Sequence, residues 1–455
     1  MARQAGDAAI TASRGYALFV LGLLLLANTL SYADRHLFSV LIPAIKAEFG
    51  ASDAMMGLIG GPAFILSYVL FSMPLAKIAD RRSRRGVLAG AITLWSLATA
   101  LCGSALGSAQ LAVARLMVGV GEAGGMPPSQ AMIADLFDSR RRSSALGVLA
   151  SSTYFGIVLG LTGGAALASL WGWRWAFLAL ALPGLPLALL IWRTAPRNAG
   201  QSVEAEAQGI SLIAAARSFW SIPSFRLLAL GVGTFNIFGY AGAIWLPTYF
   251  MRSHGMSVVE AGSWLGLGAV AGGVAGSLAS GLVVDALRVR DERWQLRIPA
   301  LGFFLSFPLF VLMMIVPGGA AFQFGGLVVP QVAMISLATS FLTSLWAGPA
   351  FGAAARLIAP EHRAQASAML VVVINILGSA VGPMAAGLVS DALSRAFGNE
   401  ALRYSLLSLS LLTLAGGALF WRAATYYARD LPGSDRGAAD FRTSLRGQEQ
   451  RRGSH

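Results

Sequence analysis

The chain has 455 residues, of which 56% are hydrophobic and only 12% are charged. A soluble globular domain carries about 25% charged residues, so this composition excludes an ordinary soluble protein and indicates an integral membrane protein. The net charge of +13 is compatible with nucleic-acid binding, but the basic residues lie where they would set membrane topology. No nucleic-acid partner is therefore expected.

Twelve apolar runs follow one another along the chain, six on each side of a polar stretch. Each is about as long as a helix needs to cross a bilayer, which is about 20 residues. We therefore predict an all-α membrane protein with twelve transmembrane helices in two pseudo-symmetric six-helix halves. The predicted parts are an amino-terminal half (1–193), a cytoplasmic linker (194–222), a carboxy-terminal half (223–428) and a disordered cytoplasmic tail (429–455). The runs lie at 16–45, 54–76, 86–106, 109–135, 143–169, 173–193, 224–251, 258–284, 297–317, 323–355, 364–391 and 403–424.

Basic residues concentrate in alternate connections between the runs, which is the pattern of cytoplasmic loops. The pattern predicts that both termini and the linker lie in the cytoplasm and that the protein crosses the inner (plasma) membrane many times. The clusters are Lys77 with Arg81, Arg82, Arg84 and Arg85; Arg140–Arg142; Arg193, Arg197, Arg217 and Arg226; Arg288, Arg290, Arg293 and Arg297; Arg356 and Arg363; and the tail.

The two halves repeat at constant offsets. Asp80 in the first half matches Asp285 in the second, and Gly156 matches Gly378. Repeats of this size are typical of secondary transporters, in which the substrate site lies near the membrane midplane where the repeats meet.

The first run contains an unusual stretch, Ser31-Tyr32-Ala33-Asp34-Arg35-His36. A charge at the bilayer centre costs about 2.5–3.5 kcal/mol on insertion scales, so such residues face a partner, a cavity or a pathway. On the fourth run, Arg115 and Glu122 are two helical turns apart and share one face. We expect Asp34, Arg35 and these two residues to line one cavity. In it, Arg115 would bond to Asp34 or Glu122, because an unpaired guanidinium is costly there.

A carboxyl group that alternates between apolar surroundings and an arginine neighbour takes up and releases protons. This predicts Asp34 and Glu122 as proton-coupling residues. The residue pattern leaves open a static buried ion pair that only holds the first half together. His36 could relay protons, or it could make local hydrogen bonds.

The second half has no Asp, Glu, Lys or Arg in the interior of its runs. One charged wall and one aromatic, apolar wall would suit an amphiphilic anion, although an apolar second half could also be packing alone. The predicted substrate contacts are Arg35, Arg115, Tyr32, Tyr154, Asn236, Tyr240, Trp346 and Asn375.

The stretch Lys77–Arg85 resembles the signature loop of the major facilitator superfamily, G-x-L-A-D-R-x-G-R-R, with Ala76 and Ser83 in place of its two glycines. Arg115 with Gly119 resembles the fourth-span motif of the same superfamily. The resemblance implies the major facilitator fold and transport by alternating access. It also implies a conformational lock of charges at helix ends, for which the candidates are Asp80, Arg81, Arg84, Arg85, Asp135, Arg142 and Asp285.

Three segments resemble the spinster family of lipid transporters: Tyr32–Arg35, Gly121–Ala123 continuing to Ile133–Phe137, and Tyr154–Gly160. This resemblance implies a lysophospholipid or sphingoid phosphate as cargo. Ser31 stands where that family usually has Asn, and residues 124–128 depart from its Ser-Tyr-rich run. Anion:cation symporters share a similar Y-x-D-R and a fourth-span glutamate, so a proton-coupled carrier of small organic anions, such as sugar acids, is the alternative.

Other classes of protein find little support in the sequence. No spacing of His, Cys, Asp and Glu resembles a metal site, no credible Ser-His-Asp set lies in the runs, and no glycine-rich loop has the Lys of a phosphate-binding loop. We therefore expect no enzymatic activity, cofactor or metal. The expected partners are the lipid-like or organic-anion substrate, protons and membrane lipids, and the expected state is a monomer.

Overall fold

The computed structural model describes residues 13–196, 212–324 and 327–432. The chain divides into two compact units, residues 1–204 with 257–263, and residues 205–256 with 264–455. The middle of the predicted linker, 197–211, and most of the predicted disordered tail, 433–455, lie outside the described residues.

The first unit is a bundle of helices joined by short turns. A π-helical segment, Leu159–Gly163, interrupts the fifth predicted span. The helices are α1 (Arg14–Phe49), α2 (Asp53–Gly60), α3 (Pro62–Arg81), α4 (Arg84–Gly103), α5 (Ser108–Glu122), α6 (Met126–Leu136), α7 (Ser139–Ala150), α8 (Ser152–Val158), α9 (Gly164–Trp171), α10 (Trp173–Ala181) and α11 (Gly184–Thr194).

The second unit is also helical, with a π-helical segment at Ile374–Val381 in the eleventh predicted span. Its helices are α12 (Leu212–Ser221), which lies in the predicted linker, α13 (Pro223–His254), α14 (Val258–Arg288), whose first turn groups with the first unit, α15 (Trp294–Ile315), α16 (Gln331–Thr343), α17 (Ala347–Leu357), α18 (Arg363–Val373), α19 (Gly382–Phe397) and α20 (Ala401–Asp430). Two 3₁₀ turns occur at Pro360–His362 and Gly398–Glu400.

All twelve predicted runs contain helix, which confirms the all-α, twelve-span fold class. Ten helical stretches of the described chain are long and apolar enough to cross a membrane; one of them, 363–430, holds both the eleventh and twelfth runs. The fourth run, which carries Arg115 and Glu122 in its interior, is not among these ten, whereas the tenth run, divided in the same way between α16 and α17, is.

The start of the tenth run differs from the prediction. Residues 323–330 were expected to begin a helix, but β1 (Ala321–Phe324) and β2 (Leu327–Pro330) form an antiparallel hairpin there, with Ala321 opposite Pro330. Neighbouring Val328 and Val329 favour extended backbone, and a proline is tolerated at the end of an edge strand. Helix α16 therefore begins only at Gln331.

Two spans are broken at matching places in the repeat. Helix α5 ends at Glu122 and α6 begins at Met126; α16 ends at Thr343 and α17 begins at Ala347. Pro127 and Pro128 occupy the first turn of α6, where the missing proline N–H groups cost nothing but cannot continue a preceding helix. Glu122 therefore lies at a helix carboxyl end inside the bundle.

Candidate substrate and proton site in the first unit

Close packing on the fifth span orients α1. A Cβ atom added at Gly156 would lie 2.3 Å from Cβ of Tyr32, and one added at Gly160 would lie 2.4 Å from the carbonyl oxygen of Ala33. Only glycine allows the two segments to approach so closely. With the Tyr32–Ala33 backbone against the fifth span, the next two side chains, Asp34 and Arg35, reach α4 and α5.

The inner ion pair joins Asp34 on α1 to Arg115 on α5. One carboxylate oxygen, Oδ2, bonds to Nη1 of Arg115, and the other, Oδ1, accepts a hydrogen bond of 2.9 Å from Oγ1 of Thr99 on α4. Asp34 is 2% exposed and Arg115 is 1% exposed. Both oxygens of this carboxylate are therefore occupied by partners in a buried setting.

The outer ion pair joins Arg35 to Glu122. Nε and Nη2 of Arg35 lie 2.7 and 2.6 Å from Oε2 of Glu122, and Oγ of Ser31 donates to the same oxygen at 2.7 Å. These donors offset the unfavourable position of a carboxylate at a helix carboxyl end. Oε1 of Glu122 is buried and has no hydrogen-bond partner in the described part of the chain. The Arg35 side chain is 27% exposed, whereas that of Glu122 is fully buried.

Aromatic rings surround the Arg35 guanidinium. Its carbon lies 5.1 Å from the centre of the Tyr32 ring, 4.9 Å from that of Phe64 and 5.1 Å from that of Tyr68. Separations below about 6 Å are those of cation–π contacts. The outer pair thus combines a partly exposed cation with an aromatic lining.

Glycines on α5 bring its neighbours close to the charges. A Cβ added at Gly119 would lie 2.2 Å from the carbonyl oxygen of Phe64 on α3, and one added at Gly121 would lie 2.6 Å from the backbone nitrogen of Trp95 on α4. Oγ of Ser67 also donates to the carbonyl oxygen of Leu116 at 2.9 Å. These contacts set α3 and α4 against the face that carries Arg115 and Glu122.

Six of the seven predicted lock residues make bonds inside their own units. Arg84, the first residue of α4, bonds to Asp135 at the end of α6 and lies 3.5 Å from Asp80 at the end of α3. Arg142 donates to the carbonyl oxygen of Ala134 at 2.7 Å. The remaining members are Arg85, which donates to the carbonyl oxygen of Ala195 at 3.3 Å, Arg81, which is exposed at the end of α3, and Asp285, which pairs with Arg288 at 3.1 Å.

The predicted substrate contacts of the second unit fall into two places. Asn236 and Tyr240 on α13 pack at Gly378, where an added Cβ would lie 2.9 and 2.8 Å from their side chains. The Trp346 ring lies 6.0 Å from that of Phe235, in an aromatic cluster. Asn375 is half-buried in the π-helical segment, and in the first unit Tyr154 is half-buried on α8.

Sequence reasoning missed three residues of the first-unit site. Thr99, Phe64 and Tyr68 were not singled out, although Phe64 and Tyr68 are four residues apart and so share one face of α3. It also missed a bidentate ion pair in the second unit, where Arg356 at the end of α17 lies 2.6 and 2.7 Å from the two carboxylate oxygens of Glu292. Residues of the types of Thr99, Phe64 and Tyr68 are so common in membrane spans that the sequence alone did not single them out.

Comparison with known proteins gives a consistent result. A family model of the Major Facilitator Superfamily matches residues 24–348. An MFS-type efflux pump of Mycolicibacterium smegmatis is 34% identical over 415 residues, which cover 90% of this chain and 93% of that protein. Protein spinster homolog 1 of Homo sapiens is 28% identical over 446 residues, covering 92% of this chain and 82% of that protein.

A solved structure has the same fold. It is a bacterial homologue of the human lysosomal transporter Spinster, in an inward-facing and unoccupied conformation. Its TM-score with this chain is 0.81 at 24% sequence identity, and the match covers 93% of this chain and all of that one.

Proposed function

Because the chain belongs to the major facilitator superfamily and is a spinster-like transporter, we propose that it moves an amphiphilic, lipid-like anion by alternating access, coupled to protons. The observation that carries this proposal is the Arg35–Glu122 pair. It combines a partly exposed guanidinium, an aromatic lining and a buried carboxylate with one oxygen that has no partner in the described parts of the chain.

Arg35 is the proposed contact for the anionic head group. An incoming phosphate or carboxylate can take the place of Glu122 on the guanidinium, because arginine binds both in bidentate fashion. The rings of Tyr32 and Tyr68 beside it suit the apolar part of the same molecule. Arg115 was also predicted to bind substrate. Because it is 1% exposed and bonded to Asp34, we propose that its main role is in the inner ion pair and that substrate contact is secondary.

Glu122 is the proposed proton carrier. Both oxygens of Asp34 already accept bonds in a buried setting, so a proton added there would weaken the bonds from Arg115 and Thr99. Oε1 of Glu122 has no hydrogen-bond partner among the residues that the structure describes, so it can take a proton without loss of a hydrogen bond. The neutral carboxyl then attracts Arg35 less strongly, which makes the guanidinium available to the anion. Proton uptake and anion binding are thereby linked at one residue pair.

A binding experiment tests both parts of the proposal. Purified full-length protein is heated with lysophospholipid, sphingoid phosphate or a sugar acid at pH 6 and pH 8, and the shift in melting temperature is recorded. We expect the two lipids to raise the melting temperature of the wild type more at pH 6 than at pH 8. Glu122→Gln should bind equally at both pH values, because glutamine resembles the protonated carboxyl, and Arg35→Gln should not bind.

The same experiment separates the alternatives. A shift with the sugar acid alone would favour the small-organic-anion symporter that shares the Y-x-D-R pattern. Binding by Glu122→Gln that still depends on pH would remove Glu122 as the carrier. Asp34→Asn is the matched carboxyl control and should keep the pH dependence of the wild type.

The remaining assignments extend this proposal. We propose a monomer in the inner (plasma) membrane. Its termini are proposed to be cytoplasmic, which the alternating basic connections support. The proposed parts are 1–193, 194–222, 223–428 and 429–455. Further proposed substrate contacts are Tyr154, Asn236, Tyr240, Trp346 and Asn375, and the proposed lock consists of the seven charges at helix ends defined by the sequence.

A further inference from the structure

Two buried ion pairs of the first unit lie on the same two helices. Asp34 and Arg35 are adjacent on α1, and Arg115 and Glu122 share one face of α5. By position on α1 and α5 alone, each arginine could pair with either carboxylate, so the sequence does not decide which ion pairs form. Something else must keep Arg115 with Asp34 and Arg35 with Glu122.

The ring of Phe64 faces both cations. Its centre lies 4.9 Å from the guanidinium carbon of Arg35 and 5.3 Å from that of Arg115. Phe64 is 5% exposed, so the ring is enclosed together with the charges. One buried ring is therefore in contact with both guanidinium groups.

The backbone around Phe64 is held in register with the charges. Arg115, Gly119 and Glu122 follow one another at helical spacings of four and three, so they form one stripe on α5. The carbonyl of Phe64 meets this stripe at its middle residue, Gly119, where even a Cβ atom would not fit. The ring is thus anchored next to the centre of the stripe, with one charge a turn away on each side.

Two unbonded atoms mark the pairing that does not form. Nε of Arg115 and Oε1 of Glu122 are both buried, and neither has a hydrogen-bond partner within the described residues. One is a donor and the other an acceptor, and they belong to the two charges that flank the anchor point of Phe64. Buried polar groups are normally hydrogen-bonded, so the absence of a bond between this donor and this acceptor needs a structural explanation.

We propose that Phe64 is a positioning residue that keeps the two ion pairs separate by its bulk. Without it, Arg115 could donate to Oε1 of Glu122, and the two pairs would become one coupled network. This deepens the proposed function, on which its meaning for transport rests, because a separate outer pair lets Glu122 exchange protons without disturbing Asp34.

A double-mutant cycle, measured by thermal unfolding of the full-length protein in detergent, tests the inference without any substrate. The melting temperature is measured for Asp34→Asn, Glu122→Gln and their combination, first with Phe64 present and then in Phe64→Ala. With Phe64, the departure from additivity should be small, limited to the Coulombic interaction of Glu122 with Asp34 and Arg115. In Phe64→Ala, Arg115 released by Asp34→Asn can bond to Glu122, so the losses should depart from additivity by about 2–4 °C.

Matched variants separate a barrier from general packing. Phe38 lies 5.2 Å from Arg115 and is fully buried, and within the described residues its ring makes no cation–π contact with Arg35, so Phe38→Ala should leave the departure from additivity small. Phe64→Leu keeps most of the bulk of the ring and should also leave the departure from additivity small. If Phe64→Ala does not fold, Phe64→Val takes its place. The inference is overturned by a departure in the small-residue variant no larger than in the parent, or by an equally large departure in Phe64→Leu. Because this experiment uses no ligand, the inference about Phe64 can fail while the proposed function stands, and the proposed function can fail while the inference stands.

Discussion

At the scale of single residues, the inner ion pair illustrates how charge is tolerated in this bundle. Asp34 and Arg115 are almost completely buried, and Thr99 satisfies the carboxylate oxygen that Arg115 does not use. Removing water from two ions is costly, and their attraction offsets that cost only when geometry and hydrogen bonds are good. Neither residue can therefore be changed alone without leaving a buried charge.

Asp34→Asn should destabilise the chain by about 3–5 kcal/mol, because Arg115 would remain charged and unpaired in the interior. The melting temperature in detergent measures the loss. Adding Arg115→Gln to the same protein should restore part of it. Asp285→Asn is the control, since Asp285 pairs with Arg288 on an exposed surface and should cost below about 1 kcal/mol. Equal losses for both aspartates would contradict this reading of burial.

Gly119→Ala should destabilise the chain by about 1–3 kcal/mol, because the new methyl would lie 2.2 Å from the Phe64 carbonyl oxygen and force α3 away from α5. Gly90 on α4 is the matched control: it is exposed, and no atom of the described residues lies within 4 Å of an added Cβ. Gly90→Ala should be neutral or stabilising by about 0.5–1 kcal/mol, since alanine loses less backbone entropy in a helix. Both changes are measured by thermal unfolding, and a stable Gly119→Ala protein would show that the approach is not tight.

At the scale of elements, the helix breaks recur while the charges do not. Helices α5 and α6 have counterparts in α16 and α17, each end displaced by the same number of residues, from 122 to 343 and from 126 to 347. The place of Glu122 is thus taken by Thr343, a neutral residue. The break belongs to the shared backbone of the two repeats, whereas the carboxylate belongs to the first repeat alone.

A bridge at the helix ends recurs with its charges exchanged. In the first unit the base, Arg84, begins α4 and bonds to the acid, Asp135, at the end of α6. In the second unit the acid, Glu292, lies just before α15 and bonds to the base, Arg356, at the end of α17. Each bridge ties the second half of a broken span to the span before it.

The second bridge should make stability depend on pH. Hydrogen bonds from Arg356 hold the pKa of Glu292 below its ordinary value. A lowered folded-state pKa means that the carboxylate stabilises the fold at neutral pH, and that this contribution is lost as pH falls through the folded pKa, below about 4.3. The wild-type melting temperature should therefore fall more between pH 7 and pH 3 than that of Glu292→Gln. The effect should not exceed about 1 kcal/mol, because the side chain is 36% exposed.

At the scale of the whole molecule, the proposed orientation in the membrane rests on the distribution of basic residues. The connection between α3 and α4 contains Arg82 and is flanked by Arg81, Arg84 and Arg85 at the helix ends, whereas the one between α4 and α5 has no charged residue. Both connections offer exposed positions, Arg82 in the first and Leu106 in the second. The sole cysteine, Cys102, is buried, so the natural chain provides a low background for thiol labelling.

A membrane-impermeant maleimide should label Leu106→Cys but not Arg82→Cys in intact cells, because positively charged connections stay in the cytoplasm. Both variants should react after the cells are opened, which controls for accessibility. Labelling of Arg82→Cys alone in intact cells would reverse the proposed orientation of every span.

Much of this protein could be predicted from its sequence. Composition and run length determine that the chain enters a membrane and crosses it twelve times, because the bilayer sets the length of an apolar helix. Helical spacing placed Arg115 and Glu122 on one face, and the cost of buried charge required partners for them.

The tertiary structure alone decided which partners meet. It paired Asp34 with Arg115 and Arg35 with Glu122, left one oxygen of Glu122 without a partner over the described residues, and placed the ring of Phe64 against both cations. It also turned the start of the tenth run into a hairpin. These outcomes depend on how close two helices can approach, which is set by single glycines and apolar side chains whose residue types are common in every span.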